Sequence, residues 1–404
     1  MSIQQNFPAI SPSLNLNFAR SKTLDPRITF SRTTTATRVN EQGLVEVVSA
    51  DIPRFDHEYD ASTGVIKSLG LLIEEDRTNS LYYSNDFSQD PPVGSALQGW
   101  TKQNSHPVPT QDVVGPDGVS NSGWRFYRTS TNQYIYQQVV GAGTHTLSAW
   151  VRSSAATGSF TMQGYNAIDG TMATTFTATN EWKRFSITIS PTTTTAYYPC
   201  TPANTNEDFY VWGAQLELNK SFETSYIPTS GGTATRNPDV VTMTGDNFSD
   251  WYNQSEGTVY ADTRMVGVQT AKYDRLWAIT NSDFNYQGIG LYIEGPGGSL
   301  VYINTITSST GTLEYGSKNT LSVPDISSST TPELKSTLTY SQNYANTSFN
   351  GFIGSADTSV NLITADRLFI GQPQRFQGYS CMTVSQLTYY PRRLTNTQLQ
   401  NLTK

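Results

Sequence analysis

The sequence predicts an all-β protein: tandem antiparallel β-sandwich domains closed by one short C-terminal helix. Three observations lead there. Thr, Ser and Asn stand where helical proteins carry Ala, Glu, Lys and Leu, and β-branched and aromatic residues suit a pleated, half-buried surface. Apolar residues alternate with period two in many short runs. Gly, Pro and Asn punctuate those runs at turn spacing. With 404 residues the chain is long enough for two or three separate cores, and its 12% aromatic content argues against disorder.

The first 80 residues hold short strand candidates: Leu14 to Phe18, Ile28 to Phe30, Gly43 to Val48 and Gly70 to Glu74. Prolines 91, 92, 107, 109 and 116 then mark residues 87 to 123 as loop-rich, which puts a boundary near residue 80. From 124 to 230 the strands become two-faced. Leu147, Ala149 and Val151 share one face, with Trp150 and Arg152 opposite. Phe185, Ile187 and Ile189 form a second apolar set. Tyr210, Trp212, Ala214, Leu216 and Leu218 form a third, with Gln215 and Glu217 on the reverse. Tyr134, Tyr136 and Gln138 lie together on one side of a fourth strand. Trp182 and Trp212 read as core or near-core residues.

The run from Pro228 to Thr235 has linker composition, so a second boundary falls there. Six further strand candidates follow: Thr258 to Met265, Arg275 to Ile279, Ile289 to Glu294, Ser336 to Tyr340, Arg367 to Ile370 and Val384 to Tyr390. Thr395 is a candidate N-cap, and Leu399 and Leu402 are three apart, which predicts the closing helix. The expected domains are therefore 1–80, 81–230 and 236–404.

Three segments resemble known families. The run from Leu24 to Thr37, then Pro53-Arg54-Phe55-Asp56, then Gly70 to Glu75 and Thr78-Asn79, resembles a module recurrent in tailed-bacteriophage structural proteins. Val211 to Glu217 and Thr224 to Thr229 look like the end of the carbohydrate-binding-module-like jelly roll that often follows it. Residues Gly257 to Ala261, Leu368 to Gly371 and Tyr389 to Leu394, with Leu399, are similar to a concanavalin-like, laminin-G-like lectin sandwich. The resemblance implies a virion location, a homo-oligomer of trimeric form, docking to other virion proteins through the N-terminal module, and host-surface polysaccharide as a ligand.

Chemistry is sparse. A glycosidase needs two carboxylates flanking the scissile bond. The one dense acidic cluster is Glu74-Glu75-Asp76, read as a solvated or Arg77-paired loop. His57, His106 and His145 lack metal-ligand spacing, and Asp56, His57, Glu58 and Asp60 lack the Gly-punctuated loop of a calcium site. No metal, cofactor or catalytic role is expected. Cys200 and Cys381 are too few for a disulfide framework. A net charge of −7 without a basic stretch excludes the usual nucleic-acid footprint, and no apolar run approaches membrane-spanning length.

Sugar recognition requires aromatic faces for pyranose C–H surfaces and amides or carboxylates for hydroxyls. Tyr134, Tyr136, Trp150, Gln215 and Glu217 are the candidate glycan-binding residues, all on strand faces opposite the expected core. The expected function is a non-catalytic phage fibre or spike that recognises host glycan. A purely structural head-decoration, neck-fibre or baseplate part is the alternative, and a polysaccharide depolymerase the second.

Overall fold

The computed structural model describes residues 6–60, 62–95, 97–267, 273–282, 288–294, 301–303, 319–321, 333–371 and 380–404. Those residues form antiparallel sheets with three short helices, as the period-two patterning requires. The chain divides into two compact units. One takes residues up to Thr33, Val48–Asp76 and Asn237–Lys404; the second takes Thr34–Val47 and Arg77–Arg236.

In the second unit two five-stranded sheets face each other. The first runs, in spatial order, Lys183–Ile189, His145–Ser153, Phe209–Leu218, Gly123–Phe126, Thr110–Val113. The other runs Gly170–Thr179, Thr157–Asn166, Thr195–Pro202, Tyr134–Val139, Thr101–Gln103. Between them lie Phe87, Trp100, Phe126, Leu147, Ala149, Val151, Phe160, Phe185 and Phe209, all nearly inaccessible to water. Burial on this scale, at ~25 cal/mol per Å² of apolar surface, is the main term holding the sandwich together.

The first unit is also a sandwich. One sheet centres on Glu256–Gly267, paired on one side with Glu333–Ser341 and on the other with Cys381–Tyr390. The opposing sheet centres on Arg367–Ile370, flanked by Val240–Thr244 and Tyr273–Thr280. Trp251, Trp277, Leu338, Tyr340, Met382 and Tyr389 belong to the core between them. The six C-terminal strand candidates all fall within observed strands.

The expected separate module 1–80 is corrected by the observed pairing. Leu14–Asn17 pairs with Cys381–Tyr390, Thr29–Ser31 with Val240–Thr244, and Val65–Ile73 again with Cys381–Tyr390. Residues 34–47 and Arg77–Asn79 belong to the other unit. Strands of three to nine residues cannot bury a core alone, so they complete sheets begun hundreds of residues later. The chain passes from one unit to the other at Thr33/Thr34, Val47/Val48, Asp76/Arg77 and Arg236/Asn237. The segment read as a linker is partly structured, since Ala234–Arg236 pairs with Arg77–Asn79.

The closing helix is Asn396–Leu402, with Thr395 as N-cap in a reciprocal capping box with Gln398. Two four-residue helices, Phe18–Ser21 and Asp246–Ser249, were not foreseen. One turn offers no periodicity to read. Cys200 and Cys381 are both buried and unbridged. No helix among the described residues is long and apolar enough to cross a membrane.

Candidate ligand-binding surface

Three of the five expected sugar contacts lie on the outer face of the first sheet of the second unit. The alternation of His145–Ser153 is as read: Leu147, Ala149 and Val151 point to the core and Trp150 points away. Phe209–Leu218 departs from simple alternation. Gly213 has φ of 61°, and the register with the neighbouring strand shifts between Ser148 and Trp150. This bulge reverses the parity. Before it the odd positions Phe209 and Val211 face the core; after it the even positions Ala214 and Leu216 do.

Trp212 is thereby moved to the face opposite Ala214 and Leu216, which corrects the expected grouping of the three, and it is buried there in a smaller cluster. Its ring lies 5.2 Å from Trp150 and 4.7 Å from Tyr226. Val45 completes this small separate cluster, and Trp182, expected as core or near-core, packs half-buried against it.

Gln215 and Glu217 are 0% and 1% exposed. Gln215 Oε1 accepts the Ile227 N–H at 2.7 Å, and its amide donates to the carbonyls of Thr224 and Ser225. Glu217 accepts the N–H and hydroxyl of Thr224 at 3.0 and 2.6 Å, and Arg77 Nη1 at 3.3 Å. Trp150 is half-buried beneath the Arg184 guanidinium, 4.5 Å above its ring. These three residues fasten the returning segment 222–227 to the sheet. They do not present a sugar site, because the chain itself covers the face that alternation marked as polar.

Tyr134 and Tyr136 lie elsewhere, on the outer face of the second sheet, where the expected pattern holds. Both are half-buried and outward, while Ile135 and Val139 enter the core. Both meet a third tyrosine ring from the neighbouring strand. Tyr198, from Thr195–Pro202, has its ring 5.7 Å from Tyr134 and 5.1 Å from Tyr136. Tyr198 is 5% exposed beneath those rings, with its hydroxyl pKa pushed up by burial first and by Tyr136, Tyr134 and Tyr165 after it. Tyr165, on Thr157–Asn166, is 46% exposed.

The register gathers these groups on neighbouring strands of one outer face. Ala196 is paired with Tyr165 on one side and Gln138 on the other. Two inter-strand spacings separate those flanking residues, about 10 Å. Gln163 lies opposite Tyr198. The face therefore carries a buried methyl and phenol ring at its centre, tyrosines and a glutamine around them, and a second glutamine beside the central ring.

Tyr165 and Gln163 were legible, since Thr161, Gln163 and Tyr165 alternate with inward Phe160 and Met162. Tyr198 was not: every residue of Thr195–Pro202 is buried, and the pairing shifts register between Thr161 and Gln163.

The remaining candidates do not assemble. Glu74 is not a solvated loop carboxylate but is buried and bonded to Arg54 at 2.7 Å; Glu75 is also buried, and Asp76 alone of the three is exposed. Glu58 bonds Arg264, and Asp60 accepts from the backbone and hydroxyl of Ser62. Among the described residues no three His, Cys, Asp or Glu side chains gather as a metal site.

No protein-family model and no curated protein matches the sequence. Solved structures show partial likeness. The carbohydrate-binding module CBM40 of the Ruminococcus gnavus IT-sialidase, bound to α2,6 sialyllactose, is 14% identical with a TM-score of 0.29, covering 38% of this chain and 85% of that one. The Trypanosoma rangeli sialidase with the inhibitor DANA is 13% identical at 0.30, covering 41% and 26%. The receptor-binding domain of botulinum neurotoxin mosaic serotype C/D is 12% identical at 0.28, covering 40% and 38%.

Proposed function

We propose that this chain is a non-catalytic virion protein, a fibre or spike of a tailed bacteriophage, that recognises glycan on the host surface. The observation that carries the recognition is the tyrosine and glutamine cluster on the outer face around Tyr198. Tyr134, Tyr136 and Tyr165 offer aromatic surface to sugar C–H groups, and Gln138 and Gln163 offer paired donors and acceptors to hydroxyls. The resemblance of the segments from Leu24 to Asn79 to phage structural modules supports the virion location. A homo-oligomer, trimeric in this reading, would multiply weak sugar contacts through avidity.

The test is a glycan array and a host-surface polysaccharide preparation probed with the whole chain. Saturable binding that drops in Tyr136→Ala is expected, together with antibody labelling of the chain on intact particles. No binding to any host surface glycan would sink the recognition role, and absence from purified particles would sink the virion role.

A second reading, a purely structural part, is favoured by one feature. Gly170–Thr179 ends its sheet, pairs with Thr157–Asn166 in unbroken register, and has neither charge nor proline over ten residues. Long unprotected edges invite another strand. On this reading Thr175→Lys dissociates copies of the chain in sedimentation, and no glycan binds.

A further inference from the structure

The two sheets of the second unit differ sharply in charge. The five strands of the first carry Asp112, Arg125, Arg152, Lys183, Arg184 and Glu217. The five strands of the tyrosine-bearing sheet carry one side chain that is charged at neutral pH, Lys102. Lys102 pairs with core-facing Ile135 rather than with an outward residue. Its ammonium is engaged by the Ser88 carbonyl at 2.8 Å and Asp90 at 2.7 Å. Around Tyr198 the outward positions are Ser159, Thr161, Gln163, Tyr165, then Tyr134, Tyr136, Gln138, then Thr171, Ala173, Thr175 and Thr177. Every one is uncharged, although charges in a folded chain belong mainly on its surface.

We infer that the tyrosine face takes a neutral glycan, a polymer of uncharged hexose units, and rejects uronic- or sialic-acid chains. The inference rests on the glycan reading above and narrows it. A sugar carboxylate placed against these rings would lose its water with no cation to replace it, a penalty that excludes it unless it is paired. The chain's net charge of −7 adds long-range repulsion at low salt. A neutral hexose asks only for ring faces and for hydroxyl partners that can both donate and accept. Glutamine amides and tyrosine hydroxyls are such groups. Specificity on this face comes from what it withholds as much as from what it offers.

The experiment is calorimetric titration of the whole chain with neutral glucan and mannan, and with polysialic and polygalacturonic acid, at low and high salt. Expected is binding to a neutral polymer, unchanged by salt, weakened roughly tenfold or more in Tyr136→Ala and in the more exposed Tyr165→Ala. Gln163→Lys is expected to bring in salt-sensitive binding of an acidic polymer. Acidic-polymer binding by the unaltered chain that falls with salt and survives Tyr136→Ala would overturn the neutral-glycan inference while leaving glycan recognition standing. Binding of no polymer, neutral or acidic, by a protein of unchanged circular dichroism would overturn both.

Discussion

The buried ion cluster of the first unit offers the sharpest test of its packing. Asp239 accepts Arg32 Nη1 at 3.0 Å through one oxygen, and Arg54 Nη2 and the Glu74 N–H at 2.9 Å through the other. Arg54 Nη1 reaches Glu74 at 2.7 Å. All four side chains are at most 1% exposed, and two cations balance two anions. Burial alone would pull the Arg54 pKa down; Asp239 and Glu74 outweigh it and hold it above the usual guanidinium value. Asp239→Asn leaves the shape and removes one charge, so a net positive charge stays in a dry site. Breaking a buried pair this way costs about 3–5 kcal/mol. For a unit of this size each kcal/mol is ~2–4 °C, so one melting transition should fall by roughly 6–20 °C. The assay is scanning calorimetry of the single variants Asp239→Asn and Arg32→Met and of the double variant. The double variant restores neutrality and should cost less than the sum of the singles. Strictly additive costs, or an Asp239→Asn protein within about 1 kcal/mol of wild type, would refute the charge argument.

Three further outcomes concern the second unit. Gly213→Ala should cost about 1–2 kcal/mol, because a side chain at φ 61° is strained and its Cβ would approach Trp150 at 3.2 Å; an unchanged thermal midpoint and near-ultraviolet tryptophan signal would count against the bulge. Asn79 donates to the Ala214 and Ile227 carbonyls and accepts from the Leu81 and Leu216 N–H groups, so Asn79→Ala orphans buried backbone groups and should cost at least ~3 kcal/mol in denaturant unfolding; a cost below ~1 kcal/mol would refute this. His145 titrates below the ordinary histidine range, chiefly through burial, against a backbone hydrogen bond with Ala142. Below about pH 6.5 the unfolded chain therefore binds more protons than the folded one. The stability this group confers is complete above that pH and is lost as pH falls toward the folded pKa. His145→Gln should make the slope of melting temperature against pH shallower over that window, and an unchanged slope would show that the imidazole does not contribute.

Period-two alternation in the sequence reveals that a strand has two faces, and it names the residues on each. That sufficed for Leu147, Ala149 and Val151, for Tyr134 and Tyr136, and for the strands of the C-terminal third. It fails wherever one residue breaks the period. At Gly213 a single left-handed residue moves Trp212 out of the core set and leaves Phe209 and Val211 in it. Alternation is equally silent on what lies over the polar face. The outward pair Gln215 and Glu217 looked like a sugar site for the same reason that Gln138 and Gln163 do: an amide or carboxylate on a strand beside aromatics. The difference arises only when segment 222–227 returns over one face, and that pairing spans few residues in sequence but is specified by side-chain hydrogen bonds, which have no period. Long-range pairing, such as Leu14 with Tyr389, is hidden likewise, since each strand reads as complete alone. The charge asymmetry between the two sheets, by contrast, was present in the composition of ten short strands. It became readable once the pairing order showed which strands share a sheet, and it distinguishes a face held closed by arginines from one left uncharged around Tyr198.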